Sequence, residues 1–150
     1  MTLTVAPSVE AVRAIRDRLN SSTAYELTFV ASVADEVVDP LEEISELHVD
    51  VVHESEEQLI ETLDDEDRTS HVIRIWIRSK LEGYTADFTD QLKLLVRQIF
   101  QRVNEYDTTD GRVKVWECDR EQHEVPVKQM WRQQGLFVAS VVLRVEVEPS

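Results

Sequence analysis

The sequence predicts an α+β fold: a mixed, mainly antiparallel five-stranded sheet with two packed helices, in the order α-β-β-β-α-β-β. Three observations carry this reading. Apolar residues alternate with period two in several separate runs. A single long stretch between Phe88 and Val103 instead repeats with helical spacing. Successive strand runs are mostly joined by polar, non-helical connections, which favours antiparallel neighbours and a layer of helices on the sheet. With no internal repeat and no interdomain linker, residues 1–150 are expected to form one domain. A chain of that size buries roughly two-thirds of its unfolded surface.

The elements follow in order. Ser8, just after Pro7, is placed to cap a first helix in which Val9, Val12, Ile15 and Leu19 share a face. Asn20-Ser21-Ser22 stops it. Tyr25, Leu27, Phe29, Ala31 and Val33 alternate with polar residues and predict a half-buried strand. Residues 34–46 contain Pro40 and form a connection, with Leu41, Ile44 and Leu47 spaced for one helical turn. A second strand is expected over 47–53, with Leu47, Val49 and Val51 facing opposite to His48 and Asp50. The stretch 54–69 is nearly all polar and reads as a mobile acidic excursion. Ile73, Ile75 and Ile77, alternating with Arg74, Trp76 and Arg78, mark a third strand over 70–78.

After Gly83, Asp87 is placed to cap the second helix, whose stripe comprises Phe88, Leu92, Leu95, Val96, Ile99, Phe100 and Val103. Its other side carries Asp90, Lys93, Arg97, Gln101 and Arg102. Thr108-Thr109-Asp110-Gly111 is a turn, and Val113, Val115 and Trp116 form a short fourth strand. Residues 117–134 read as a polar connection anchored by Val125, Val127, Met130 and Trp131. The last strand spans 136–147, with Phe137, Ala139, Val141, Leu143, Val145 and Val147 in phase. Val138 and Val142 make its second face apolar too, as expected where another layer or chain covers it.

Charge separates the chain into two unlike parts. Of a net −14, fifteen acidic residues and no Lys or Arg fall between Asp35 and Asp67, while the remainder has 15 acids against 16 bases. The acidity therefore belongs to one segment, and the scattered bases form no phosphate-binding stripe. That disfavours a nucleic-acid binder. No apolar run is long enough to span a bilayer, and Met1 to Pro7 shows no signal-peptide pattern. A protein made and used in the cytoplasm, or in a particle assembled there, is the corresponding expectation. Cys118 is the only cysteine, so no internal disulfide is possible, and it reads as an ordinary reduced thiol.

Motifs for chemistry are scarce. Only Gly83, Gly111 and Gly135 are available, and no phosphate-cradling loop or nucleophile elbow is present. His48 and His53 stand at odd separation on one strand and point to opposite faces, so a shared metal would require a bulge. His71 precedes the alternating run of the third strand and His123 lies in the late connection; all four histidines read as surface residues. Asp64-Asp65-Glu66-Asp67 could attract a divalent ion, but it lacks the alternating ligands and central glycine of a calcium loop, and a solvated charge run is the simpler reading. The few basic residues are not interleaved with Trp76, Trp116 and Trp131 around a common segment, which favours packing or an interface over base stacking. No catalytic, metal or cofactor-binding residue is expected, and the chain is read as a non-enzyme.

The run from Tyr25 through Asp39-Pro40-Leu41-Glu42-Glu43-Ile44-Ser45-Glu46-Leu47-His48-Val49-Asp50-Val51-Val52 resembles small tail-terminator, or tail-completion, proteins of tailed bacteriophages. Val72-Ile73-Arg74-Ile75-Trp76-Ile77, the long amphipathic helix and Phe137-Val138-Ala139-Ser140-Val141-Val142-Leu143 continue the likeness over residues 8–147. It rests on element order and hydrophobic pattern rather than on an invariant motif. The resemblance implies a structural virion protein, usually a hexameric homo-oligomer. Such a ring ends the tail tube at the head-tail junction and meets the tail tube protein and a head-side connector, while DNA passes through unbound. A head-completion or neck connector, an acidic DNA-mimic and a small carboxylate-metal enzyme remain as alternatives. On the ring reading, Trp76, Trp131, Val138 and Val142 are expected at subunit contacts. Asp64, Asp65, Glu66 and Asp67 either face the lumen or a partner, or merely solvate the particle.

Overall fold

The computed structural model describes residues 6–34, 47–58, 69–80, 86–120 and 136–148. Its elements are α1 (Pro7–Asn20), β1 (Ala31–Ala34), β2 (His48–Gln58), β3 (Thr69–Lys80), α2 (Ala86–Val103), β4 (Val113–Arg120) and β5 (Leu136–Val147). They form the expected α+β arrangement, with one five-stranded sheet ordered β1-β2-β3-β5-β4. Three of the four pairings are antiparallel, and only β1 runs parallel to its neighbour β2.

The core follows from period-two burial on the sheet and 3.6-residue burial on the helices. Val49 and Val51 of β2, Ile73, Ile75 and Ile77 of β3, Phe137 to Val147 in alternation on β5, and Val113 and Val115 of β4 all point to one side. Ala11, Val12, Ile15 and Leu19 of α1 and Leu92, Leu95, Ile99 and Val103 of α2 close over them in a single cluster. Both helices thus pack on the same face of the sheet. Their C-terminal ends are clasped together: Arg18 Nε donates to the Arg102 carbonyl at 2.9 Å, and Arg102 Nε donates to the Arg18 carbonyl at 3.2 Å. Each guanidinium supplies a donor to a carbonyl that a helix end leaves unsatisfied.

Several sequence expectations need correction. The N-cap of α1 is Ala6 and Pro7 occupies the first turn, so Ser8 lies inside the helix and caps nothing. The helix α2 begins at Ala86, which puts Asp87 in its first turn rather than at the cap. The strand expected over 25–33 shrinks to Ala31–Ala34. Tyr25, Leu27 and Phe29 do pack against the core, but their segment bonds to the two helices instead of to a strand. Tyr25 Oη donates to the Leu19 carbonyl at 2.8 Å, and the Glu26 amide donates to Gln98 Oε1 at 2.8 Å. The Asn20 side chain then docks the start of β1, donating to the Ala31 carbonyl at 3.1 Å and accepting the Ala31 amide at 2.8 Å. Val33, expected inside, is 39% exposed.

Two strands run further than their apolar residues suggest. β2 continues to Gln58, through Glu54, Ser55, Glu56 and Glu57, so the acidic excursion cannot begin at 54. β4 continues to Arg120. Each contains an irregularity, between His53 and Ser55 and between Val115 and Glu117, that shifts the phase of its side chains. Residues 59–68, the expected turn at Leu41 and Ile44, and the anchors Val125, Val127, Met130 and Trp131 lie outside the described residues.

The turn before β4 is built as its sequence suggests. Asp110 Oδ1 accepts from Thr108 Oγ1 at 2.7 Å and from the Arg112 amide at 3.1 Å, which holds the Asp110 carboxyl below its ordinary value. Gly111 takes a left-handed φ of 73°. Just after α2, Glu105 also sits at a positive φ of 58° without being glycine. Left-handed backbone costs an ordinary residue about 1 kcal/mol or more. Replacing Glu105→Gly should therefore raise unfolding stability by about 1 kcal/mol in urea titrations, as glycine does at helix C-termini. By contrast, Ile75→Ala, at a site with no exposure, should lower it by about 2–5 kcal/mol.

Candidate functional site

The face of the sheet opposite the helices is where the sequence-predicted contact residues gather. Along β3 it presents Val72, Arg74, Trp76 and Arg78. Trp76 lies between Asp50 of β2 and Ser140 of β5, and Val138 and Val142 stand beside Arg78 and Arg74. Trp76, Val138 and Val142 are each half-buried, and neither described helix packs on this side. The structure thus brings three of the four expected contact residues onto one surface. Trp131, like Asp64, Asp65, Glu66 and Asp67, lies outside the described residues.

Charge on this face is paired rather than displayed. Arg78 is 3% exposed and its guanidinium donates to Asp50 Oδ2 at 2.7 Å. Arg74 donates to Glu54 Oε1 at 2.5 Å and to Ser140 Oγ at 3.1 Å, with its guanidinium carbon 5.2 Å from the centre of the Trp76 ring. Such a contact orients the indole as well as attracting it. Towards β4 the pattern repeats more openly: Arg144 reaches Glu117 at 3.3 Å and lies 5.9 Å from the ring centre of Trp116, which is 52% exposed. The bulge after Val115 leaves Trp116 outside the core-facing alternation.

On the helix side, sequence reasoning missed one arrangement. His71 is not a surface histidine: it sits within β3, in phase with Ile73, and is fully buried. Its Nε2 is 2.7 Å from Thr69 Oγ1 and its Nδ1 is 2.8 Å from His53 Nε2. The phase shift in β2 follows His53, so His53 meets His71 across the strands while His48 remains on the opposite face. The signal was available, since His71 continues the isoleucine alternation two residues upstream. Both nitrogens of His71 are occupied, so a neutral ring donates from one and accepts at the other. Among the described residues, no group of three or more His, Cys, Asp or Glu side chains could hold a metal ion.

The polar groups elsewhere also serve the fold. A surface cleft of about 460 Å³ is lined by Glu10, Arg13, Asp17, Tyr106, Asp110 and Arg112. Arg112 binds the Glu10 carboxylate through two nitrogens at 2.7 and 3.0 Å, tying α1 to the turn before β4. Cys118 is half-buried, and burial pushes its thiol up to about 12, with the nearby Asp119 charge adding to the effect. That is the wrong direction for a nucleophile, which needs its thiolate near neutral pH. No helix among the described residues is long and apolar enough to cross a membrane.

No known protein family matches the chain, and no curated protein matches it. Among solved structures, it is similar to the sheath/tube terminator of PVC, an extracellular contractile injection system determined by cryo-EM in its extended state. The TM-score is 0.41 and the identity 10%, covering 100% of this chain and 58% of that one. The chain thus spans a little over half the length of that protein.

Burial holds the His71 imidazole below its ordinary value; Glu56 draws it partly back and the His53 charge lowers it further. The folded chain refuses a proton that the unfolded chain accepts once pH drops below about 6.5. This group's contribution to stability is therefore complete above that pH and declines on acidification, by about 1.4 kcal/mol per pH unit while the difference in protonation persists. His71→Gln should destabilise the protein at about pH 7.5, and its deficit against the wild type should narrow by about pH 5.5 when both are compared by urea unfolding.

Proposed function

We propose that the chain is a structural, non-catalytic subunit that assembles through the face of its sheet opposite the described helices. It closes a ring, of about six copies by the resemblance of its sequence, at the head-proximal end of a phage-type tail tube. The observation that carries this reading is the one-sided architecture. Both described helices lie on one face, while the other presents Trp76, Val138 and Val142, half-buried, around side chains already neutralised by Asp50 and Glu54. An apolar centre with charges held in pairs suits contact with another protein better than it suits turnover. The tail tube protein and a head-side connector are the partners this role requires, and DNA passes through the ring without specific contact.

Within this role, Asp64, Asp65, Glu66 and Asp67 flank the lumen or a partner-facing rim, where their charge keeps phosphates from adhering. A variant with these four residues changed to Asn or Gln should assemble normally but retain DNA in a gel-shift assay at low salt. Unchanged exclusion of DNA would remove the lumen assignment and leave the ring untouched.

The assembly itself is tested by light scattering on the purified chain, alone and mixed with tube subunits. The expected result is concentration-dependent growth towards the mass of about six copies. Val138→Asp and Val142→Asp, on the half-buried side of β5, should hold the protein monomeric while leaving its far-ultraviolet spectrum unchanged. A chain that stays monomeric under every condition, or one that assembles equally well with both aspartates, would refute the proposal.

A further inference from the structure

A second contact surface lies away from the sheet's outer face, in the cleft where the start of α1 meets the end of β1. Its volume is about 440 Å³, and Val9, Val12, Arg13, Arg16, Val33 and His53 are among its lining residues. The floor is aliphatic and partly wet: Val33 is 39% exposed. Two guanidiniums stand over it. Arg13 is exposed, and no carboxylate pairs with it among the described residues. Among the described residues Arg16 pairs with its chain neighbour Asp17, at 3.0 Å, and both side chains reach solvent. A surface pair of that kind is readily exchanged for a better one.

This chemistry fits a segment in which carboxylates alternate with aliphatic side chains. Guanidinium groups bind carboxylates through two parallel hydrogen bonds, and the valines gain by losing contact with water. The chain's own sequence contains such a segment. Between Asp35 and Glu46 it carries six acids, no base, and Val37, Val38, Leu41 and Ile44. We propose that the α1–β1 cleft of one protomer receives the 35–46 segment of a second copy. Arg13 and Arg16 pair with its carboxylates, and its aliphatic side chains meet Val9 and Val33. Donor and acceptor surfaces differ, so the contact is head-to-tail and propagates from copy to copy until a ring closes. The inference rests on the ring reading and supplies one of its contacts.

Charge exchange between copies tests it. Arg13→Glu/Arg16→Glu reverses the cleft, and Asp39→Arg/Glu42→Arg/Glu43→Arg/Glu46→Arg reverses the segment, leaving two acids against four arginines. Each variant alone should lose assembly at least tenfold in sedimentation velocity at low ionic strength, with its circular dichroism unchanged. An equimolar mixture of the two should regain it, because each copy then meets a neighbour of opposite sign. If either variant assembles like the wild type, the cleft is not a contact. If the mixture stays monomeric, the contact between copies is refuted; recovery in a single chain carrying all six substitutions would then assign the cleft to the chain's own segment. A wild type that never assembles refutes both this contact and the ring, whereas assembly that responds to Val138→Asp but not to the charge reversals refutes this contact alone.

Discussion

The fold depends on β3 being paired along its whole length, with the described helices burying one of its faces and polar pairs occupying the other. It lies between β2 and β5, in register with β5 from Thr69 opposite Val147 to Lys80 opposite Leu136. Its isoleucines at 73, 75 and 77 have no exposure. Because both helices take the same side of the sheet, the alternate residues of β3 must be made stable by other means. That requirement explains the arginines at 74 and 78, each tied to a carboxylate on β2. They satisfy their charge within the sheet and let a large aromatic ring sit between them.

A guanidinium as enclosed as that of Arg78 is a costly choice if stability alone is at issue. Removing such a charge from water consumes much of what its partner returns, and an apolar pair of equal size often serves as well. What an arginine–aspartate pair adds is direction: it fixes how β2 and β3 align and how the indole between them is presented. His71 contributes a comparable constraint on the other face, where Thr69 and His53 occupy both of its ring nitrogens.

Sequence pattern conveyed the elements whose two faces differ in polarity. The phase of Ile73, Ile75 and Ile77, the alternation from Phe137 to Val147 and the helical stripe from Leu92 to Val103 were readable because burial and solvent impose opposite side-chain types. It conveyed less where the backbone pairs without apolar help. The Glu54–Gln58 end of β2 and the Glu117–Arg120 end of β4 are polar, yet they pair with β3 and β5 through main-chain bonds that leave no hydropathy signal. The opposite holds at Tyr25, Leu27 and Phe29, whose alternation reflects packing of an irregular segment whose polar groups bond to α1 and α2. Of the candidate contact surface, the sequence indicated Trp76, Val138 and Val142 individually. Their adjacency came from the β3–β5 register, which no local pattern encodes.

The attachment of β1 has a consequence of its own. Four residues join this strand to the sheet, and the amide of Asn20 stands in for a missing neighbour by bonding both main-chain groups of Ala31. Peeling it away would break few bonds and uncover little of the interior, so it is the sheet's cheapest local opening. Once lifted, it would bare the hydrogen-bonding rim of β2 from Val49 to Val52, a ready template for an extended peptide. One asparagine at the end of a helix therefore acts as the latch on the only parallel seam in the described sheet.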